Sequence, residues 1–597
     1  MAGNRRKKPR FDDRMQLRMK VFLGVIMAML LALVGVLYYI AEVKGDDYSI
    51  RVLNQNQYSS TTLPFKRGDI LDANGNILAT SVKVYNVIID SYIILSDEDY
   101  MAPTVEALAA CFGLDAAELQ TEIESRSTSR YWSRTDLRKL SYDDISDFLA
   151  MQDADSDIQG VWFEESYERK YPYTTLASNT IGFASSSNTA EMGLEGYYND
   201  TLNGTDGRSY GYMNQDNVQE SVTIDPIDGC SITTTLDLNI QNIVETKIAE
   251  WVELYNPKNV AVIIMDPNTG EVLAMAQNNN YDPNNPEDLS GYYTEEEIEE
   301  LTREENVEEK YTALYSIWQN YCVTATYEPG STAKVLTIAS ALEEGMVTAD
   351  STFECDGGEQ VANYYIRCTS HHGTITLTEA LMYSCNDALM CIGDLLGATL
   401  FSDYQLRFNL GMKTGIDLTY EDAGLTYDVE NIDSTTLATN SFGQNFNVTM
   451  IQMASAFCSC INGGYYWQPH LVSKITNADG NVVSTIEKTL VKRTVTEETS
   501  EFLRQALEQV VENGTGKYAA VEGYSVGGKT GTAQKQDKEA STYVLSFIGM
   551  APVDDPQVVC YVVVDEPDVE NNDSSSYASR LWSNIMTEVL PYLNIYE

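Results

Sequence analysis

The chain is poor in histidine and in positive charge. Only three histidines occur among 597 residues, and no Cys-x-x-Cys or His-Glu-x-x-His spacing is present. A dedicated metal site is therefore not expected, and no cofactor is implied. Lysine and arginine number 39 against 88 aspartates and glutamates, a formal net charge of −49. Phosphate contacts need Lys and Arg, so nucleic acid is disfavoured as a partner. The excess of acid reads as a soluble, self-repelling exterior. No internal repeat is found, which argues against solenoids and propellers. What is present is an ordinary hydrophobic share of 43%, enough for a large core, in a chain long enough for more than one domain.

Charge is also missing from one continuous stretch. Val21 to Ala41 contains no charged residue, and at 1.5 Å per residue such a run spans the roughly 30 Å hydrocarbon core of a bilayer. A cleavable signal peptide would have a shorter apolar core ending at a small-x-small site. This run ends instead in Leu37-Tyr38-Tyr39-Ile40, with tyrosines placed as an interfacial belt. Basic residues from Arg5 to Lys20 precede it, and Glu42, Asp46 and Asp47 follow. The expectation is a cytoplasmic tail over 1–20, an uncleaved anchor over 21–41, and everything beyond outside a single-pass membrane crossing.

Residues 45–235 have mixed character. Arg67-Gly68-Asp69-Ile70-Leu71-Asp72 precedes the turn Ala73-Asn74-Gly75-Asn76, with a strand expected over Val84 to Asp90 and helices over 103–155. No nucleophile–base pair occurs there, so this part reads as a spacer or interaction module. From about residue 236 a helical stripe begins at Ile240. Val260–Asp266 and Glu271–Ala276 then form a hairpin, and 278–326 interrupt as an acidic helical insertion with a capping box at Thr294 and Glu297. Strands at Val526–Gln534, Tyr543–Met550 and Val558–Val564, with helices at both ends, predict an α+β domain over 236–597 built on an antiparallel sheet.

The chemistry centres on Tyr327-Glu328-Pro329-Gly330-Ser331-Thr332-Ala333-Lys334. A Pro-Gly turn enters a helix with a serine in its first turn and a lysine three positions on. Positions i and i+3 share a helix face, so a weak nucleophile can meet a base. Ser-x-x-Lys alone is weak evidence, since about two chance matches are expected in a chain this long. Three elements in order are far more specific: Ser331-x-x-Lys334, then Ser384-x-Asn386, then Lys529-Thr530-Gly531. That trio is shared by penicillin-binding proteins and class A β-lactamases.

With these motifs the chain resembles a class B penicillin-binding protein, the monofunctional peptidoglycan D,D-transpeptidase of the division or sporulation septum. The likeness extends to the short basic start, the single anchor, the Arg67-Gly68 motif, and Gly528-Lys529-Thr530-Gly531-Thr532-Ala533-Gln534. It implies a serine β-lactamase-like transpeptidase domain over 236–597 and a non-catalytic dimerisation or pedestal module over 45–235. Ser331 is then the acylated nucleophile, Lys334 its base, and Ser384 the proton relay. Asn386 binds a substrate amide, and Lys529 faces the substrate carboxylate with the hydroxyls of Thr530 and Thr532. Gly531 and Gln534 complete the substrate-binding strand, and the backbone N–H groups of Ser331 and Thr532 form the oxyanion hole. Lowering a lysine pKa by three units costs about 4 kcal/mol, which burial and a neighbouring cation such as Lys529 could supply.

The resemblance also implies stem peptides of peptidoglycan as substrate and β-lactams as covalent ligands. It implies partners in the division or sporulation machinery, including a membrane glycosyltransferase. Cys355 and Cys368 are expected to form a disulfide. Cys385 reads as a space-filler, and His371 and His372 as loop residues. The alternatives are a D,D-carboxypeptidase or β-lactamase with the same triad, a β-lactam sensor, and a non-catalytic division scaffold.

Overall fold

The computed structural model describes residues 13–38, 57–185, 187–213, 219–535 and 542–596. They form two compact units. The smaller takes the chain up to Pro64 and returns for Asp206–Ile227. It contains the helix Asp13–Tyr38 and a three-stranded antiparallel sheet in the order Gln57–Leu63, Gly207–Met213, Gln219–Ile224. Among the described residues no helix is long and apolar enough to cross a membrane. Of the expected tail and anchor, residues 1–12 and 39–41 lie outside the described residues.

The larger unit, Phe65–Thr205 with Asp228–Glu597, is organised around a five-stranded antiparallel sheet. Its order is Gly527–Gln534, Tyr543–Ala551, Val558–Asp565, Asn259–Met265, Val272–Gln277. Every residue of Val558–Asp565 is buried, as a central strand covered on both faces requires. Alternation along the strands divides two cores. Val260, Val262, Ile264, Phe547 and Val562 pack against the helices Leu238–Tyr255 and Ser576–Tyr592, with Trp582 fully buried between them. Ala261, Ile263, Met265, Ile548 and Val563 face the helices Lys334–Glu343, Asn386–Arg407 and Met450–Ile461. This second layer carries the first two motifs.

A six-stranded sheet runs through the position where the two expected domains meet. Its order is Val482–Thr485, Val472–Thr476, Ser231–Thr234, Ile70–Leu71, Ile77–Ile89, Val161–Lys170. Ser231–Thr234 pairs with Val472–Thr476 on one side and, in parallel, with Ile70–Leu71 on the other. Beside it, the buried Arg67 guanidinium clasps the fully buried Glu195 carboxylate at 2.6 Å, and Arg169 takes the other oxygen at 2.7 Å. Arg67 also donates to Asn203 Oδ1 at 2.6 Å, and Tyr171 OH donates to Glu195 Oε1. Burial alone would push the Glu195 carboxyl up, but the two guanidiniums more than offset that and hold it below its usual range.

The insertion 278–326 forms the helices Glu295–Leu301 and Val307–Trp318, the first with the expected Thr294–Glu297 capping box. Tyr311 on the second helix stays exposed, while the opposite face of that helix is buried. Leu314, Ile317 and Trp318 close a small core with Tyr281, Leu289 and Met192, and Trp318 Nε1 donates to Pro286 O at 2.7 Å.

Candidate active site

Three backbone segments meet at the site. Gly330–Ala333 is one 3-10 turn, and Lys334 is the first residue of the α-helix that continues to Glu343. Gly330 has a left-handed φ of 57°, and a Cβ there would lie 2.7 Å from Thr532 O, so glycine is needed for both reasons. Gly330 N–H donates to Gly443 O at 2.8 Å, and a Cβ on Gly443 would come within 1.8 Å of Gly330 O. The Ser331 turn is thereby wedged between the Gly527–Gln534 strand and the 442–444 loop. The last carries no motif, and no local pattern in the sequence marks its contact with Gly330. Ser331 itself is half-buried.

Lys334 is fully buried. Its Nζ donates to Ser384 O at 2.7 Å, Ser384 Oγ at 3.1 Å and Asn386 Oδ1 at 2.6 Å. Three donors with three acceptors satisfy an ammonium, yet burial pulls its pKa down from 10.5 to about 7, slightly countered by Cys368 and Cys385. A lysine so placed can exchange a proton near neutrality.

The second motif joins two helices. Leu377–Met382 ends at Tyr383, and Asn386–Arg407 begins after it. Ser384 between them takes a φ of 55°, a conformation that costs a non-glycine residue about 1–3 kcal/mol and is held only by its surroundings. It aims Ser384 Oγ between two lysines, since Lys529 Nζ also reaches it at 3.1 Å. Lys529 is fully buried and donates further to Thr530 O at 3.0 Å and Thr530 Oγ1 at 3.2 Å. Burial, then the Lys334 charge, push its pKa well below the usual lysine value. Lys334–Ser384–Lys529 is thus a continuous chain for proton movement.

Lys529, Thr530, Gly531, Thr532 and Gln534 lie on the edge strand of the five-stranded sheet. Thr530 is buried, and its Oγ1 meets Thr515 Oγ1 at 3.0 Å. Thr532 and Gln534 are half-buried farther along. A Cβ on Gly531 would meet Ser546 Oγ at 2.2 Å and Thr332 Cγ2 at 3.0 Å, so only glycine lets this strand approach the Ser331 turn. Tyr327 OH donates to Tyr561 OH at 2.7 Å beneath the site, a buried link that no motif marked. The structure therefore gathers the first motif, the second motif and the Lys529 strand around one point.

The expected disulfide is not formed. All ten cysteines are free, and Cys355 and Cys368 share their space with Cys385 and His372. Cys385 is fully buried, and its Sγ lies 3.7 Å from Cys368 Sγ. His372 stacks on Tyr383 with ring centres 5.6 Å apart. The absence of a local ligand spacing had argued against any metal-type grouping. The fold assembles one from positions 355, 368, 372 and 385, which local spacing rules do not reach.

Comparison with known proteins follows the same geometry. Residues 260–587 match the family model of the penicillin binding protein transpeptidase domain, and residues 62–234 that of the penicillin-binding protein dimerisation domain. The chain belongs to the class B penicillin-binding proteins. Among the relatives of this penicillin-binding protein is stage V sporulation protein D of Bacillus subtilis. It is 32% identical over 90% of this chain and 80% of that protein. Penicillin-binding protein PbpB of Mycolicibacterium smegmatis is 26% identical over 89% of this chain and 84% of its own length. Among solved structures, penicillin-binding protein 2X of Streptococcus thermophilus superposes with a TM-score of 0.74 at 24% identity, covering 89% of this chain and 80% of that one. Its fold is the one described above.

Proposed function

We propose that this protein is a peptidoglycan D,D-transpeptidase working through an acyl-Ser331 intermediate. The single observation that carries the reading is the Lys334–Ser384–Lys529 chain beside the Ser331 turn, with both lysines fully buried. Ser331 Oγ attacks the carbonyl of the penultimate D-alanine of a stem peptide, and its proton passes to neutral Lys334. The C–N bond to the last D-alanine breaks, and that amine leaves with a proton delivered through Ser384 Oγ. An amine on a neighbouring stem then attacks the ester, restores Ser331 and forms the crosslink. Backbone N–H groups of Ser331 and Thr532 are suited to the oxyanion, each such donor being worth about 3 kcal/mol. A β-lactam enters by the same attack and stays as an acyl-serine. Several relatives carry names that support the reaction, such as "Probable peptidoglycan D,D-transpeptidase PenA" of Neisseria gonorrhoeae.

The setting we propose is septal wall synthesis. The chain is held by one N-terminal span over 21–41, with its start in the cytoplasm and the site outside. Uncharged Val21–Ala41 and the basic residues before it support this reading. A membrane glycosyltransferase and other division or sporulation proteins are the proposed partners, with 45–235 as the module that meets them.

The test is labelling of the detergent-purified full chain by a fluorescent penicillin, beside Ser331→Ala. Labelling of the wild type alone is expected, and equal labelling of both would overturn the assignment of the nucleophile. Release of the penicilloyl group within seconds would instead identify a β-lactamase.

A further inference from the structure

Behind the second motif, four side chains from four separate positions point at one spot. Cys355 ends the strand Thr352–Cys355, Cys368 follows the strand Tyr364–Arg367, His372 precedes the strand Gly373–Thr376, and Cys385 is the N-cap of the helix Asn386–Arg407. Their three Sγ atoms and the His372 nitrogen all lie within 4.8 Å of one another. His372 Nδ1 is 3.4 Å from Cys355 Sγ and 3.8 Å from Cys368 Sγ, and Cys368 Sγ is 3.7 Å from Cys385 Sγ. A tetrahedral zinc, with Zn–S of about 2.3 Å and Zn–N of about 2.0–2.1 Å, sets its ligand atoms about 3.8 Å apart between sulfurs and about 3.6 Å between sulfur and nitrogen. These three of the six edges lie within about 0.2 Å of those lengths, and the other three are no longer than 4.8 Å.

A second observation points the same way. Asn386 N–H donates to Cys368 Sγ at 3.2 Å, and Ala388 N–H donates to Cys385 Sγ at 3.4 Å. A thiol sulfur is a weak acceptor, whereas amide donors aimed at sulfur are what metal thiolates receive from their surroundings. Both amides belong to the first turn of the Asn386–Arg407 helix, whose positive end favours a thiolate. Three thiolates and one imidazole make a soft donor set that selects zinc, and four protein ligands leave no open position.

We propose that Cys355, Cys368, His372 and Cys385 bind one structural zinc ion that positions the second motif. Binding replaces three thiol protons, which pass to solvent, and uses the Nδ1 lone pair of His372 with its proton on Nε2. Cys385 stands between Ser384 and Asn386, and both neighbours hold the Lys334 ammonium. Fixing its sulfur fixes the strained Ser384 backbone from one side and the Asn386 amide from the other. The zinc would act through these residues and would not touch the reacting atoms.

The experiment is metal analysis of the full chain, purified under reducing conditions without chelator. About one zinc per chain is expected in the wild type, falling below about a tenth in Cys355→Ser. His372→Cys, which keeps four ligands, should retain the metal. Refilling the stripped wild type with cobalt(II) should give the visible bands of a tetrahedral cobalt thiolate, which tests the site even if a variant fails to fold. Stripping should slow acylation of Ser331 by penicillin, and zinc should restore it. No bound zinc together with no cobalt spectrum would overturn the proposal, as would an intact mass showing Cys355 and Cys368 joined in the active protein. Metal content is read without any turnover, so it stands apart from the transpeptidase reading.

Discussion

The Glu195 carboxylate lies between the guanidiniums of Arg67 and Arg169, whereas Lys334 and Lys529 face each other across Ser384 Oγ, and among the described residues neither lysine has an ion-pair partner. Both groups are buried in the same unit. In the first, opposite charges offset the desolvation that each would suffer alone. In the second, no opposite charge offsets burial, so burial pulls both lysine pKa values down, and the Lys334 charge adds to the fall at Lys529. Burial thus makes one group a clamp, whose protonation is fixed over the working pH range. It makes the other a reagent, whose protonation changes there.

The contrast breaks most visibly at Lys334. Lys334→Met should lower the rate of penicillin acylation by about 10³-fold, in the range of a lost general base, without lowering thermal stability at neutral pH. A large fall in melting temperature would mean that the lysine is a structural tie after all. Glu195→Ala should do the reverse. It strands two buried guanidiniums and should cost about 3–5 kcal/mol by denaturant unfolding, while the remaining folded protein acylates at the wild-type rate.

A smaller effect separates the two groups by pH. Neutral Lys334 is the competent base, so acylation should rise about tenfold per pH unit below its pKa and flatten above about 7. Its folded pKa lies below its usual 10.5, so between those values the unfolded chain binds more protons, and stability rises with pH. Compared with Lys334→Met, the wild type should therefore gain stability from about pH 7 towards 10.5 and carry the full penalty below that window. Glu195, whose folded pKa is also depressed, has the same sign in a lower pH window. Its stabilisation is complete above 4.5 and is lost as pH falls through the depressed folded value. A pH-independent acylation rate would remove Lys334 from the role of base.

Much of this site was legible because each motif is local. Ser331 and Lys334 share one turn, Ser384 and Asn386 flank one residue, and Lys529 to Gln534 run along one strand. Their convergence followed from the resemblance. What was not legible depends on contacts between distant positions. The Gly443 backbone against Gly330, the Tyr327–Tyr561 pair and the meeting of Cys385 with Cys355, Cys368 and His372 have no signature in spacing. The disulfide expectation rests on Cys355 and Cys368 alone, and no local pattern shows that Cys385 and His372 share their space. The α+β sheet was read from alternation in its strands, but the pairing of Ser231–Thr234 with Val472–Thr476 joins strands too far apart for any local pattern to reveal.

That pairing bears on how the protein is handled. A chain started at residue 236 would leave Val472–Thr476 with a raw edge and uncover buried Val472, the kind of surface that recruits strands from other molecules. Starting instead before Phe65 keeps Ile70–Leu71 and Ser231–Thr234 as the cover. An expression boundary chosen there should yield monodisperse material where the shorter one precipitates.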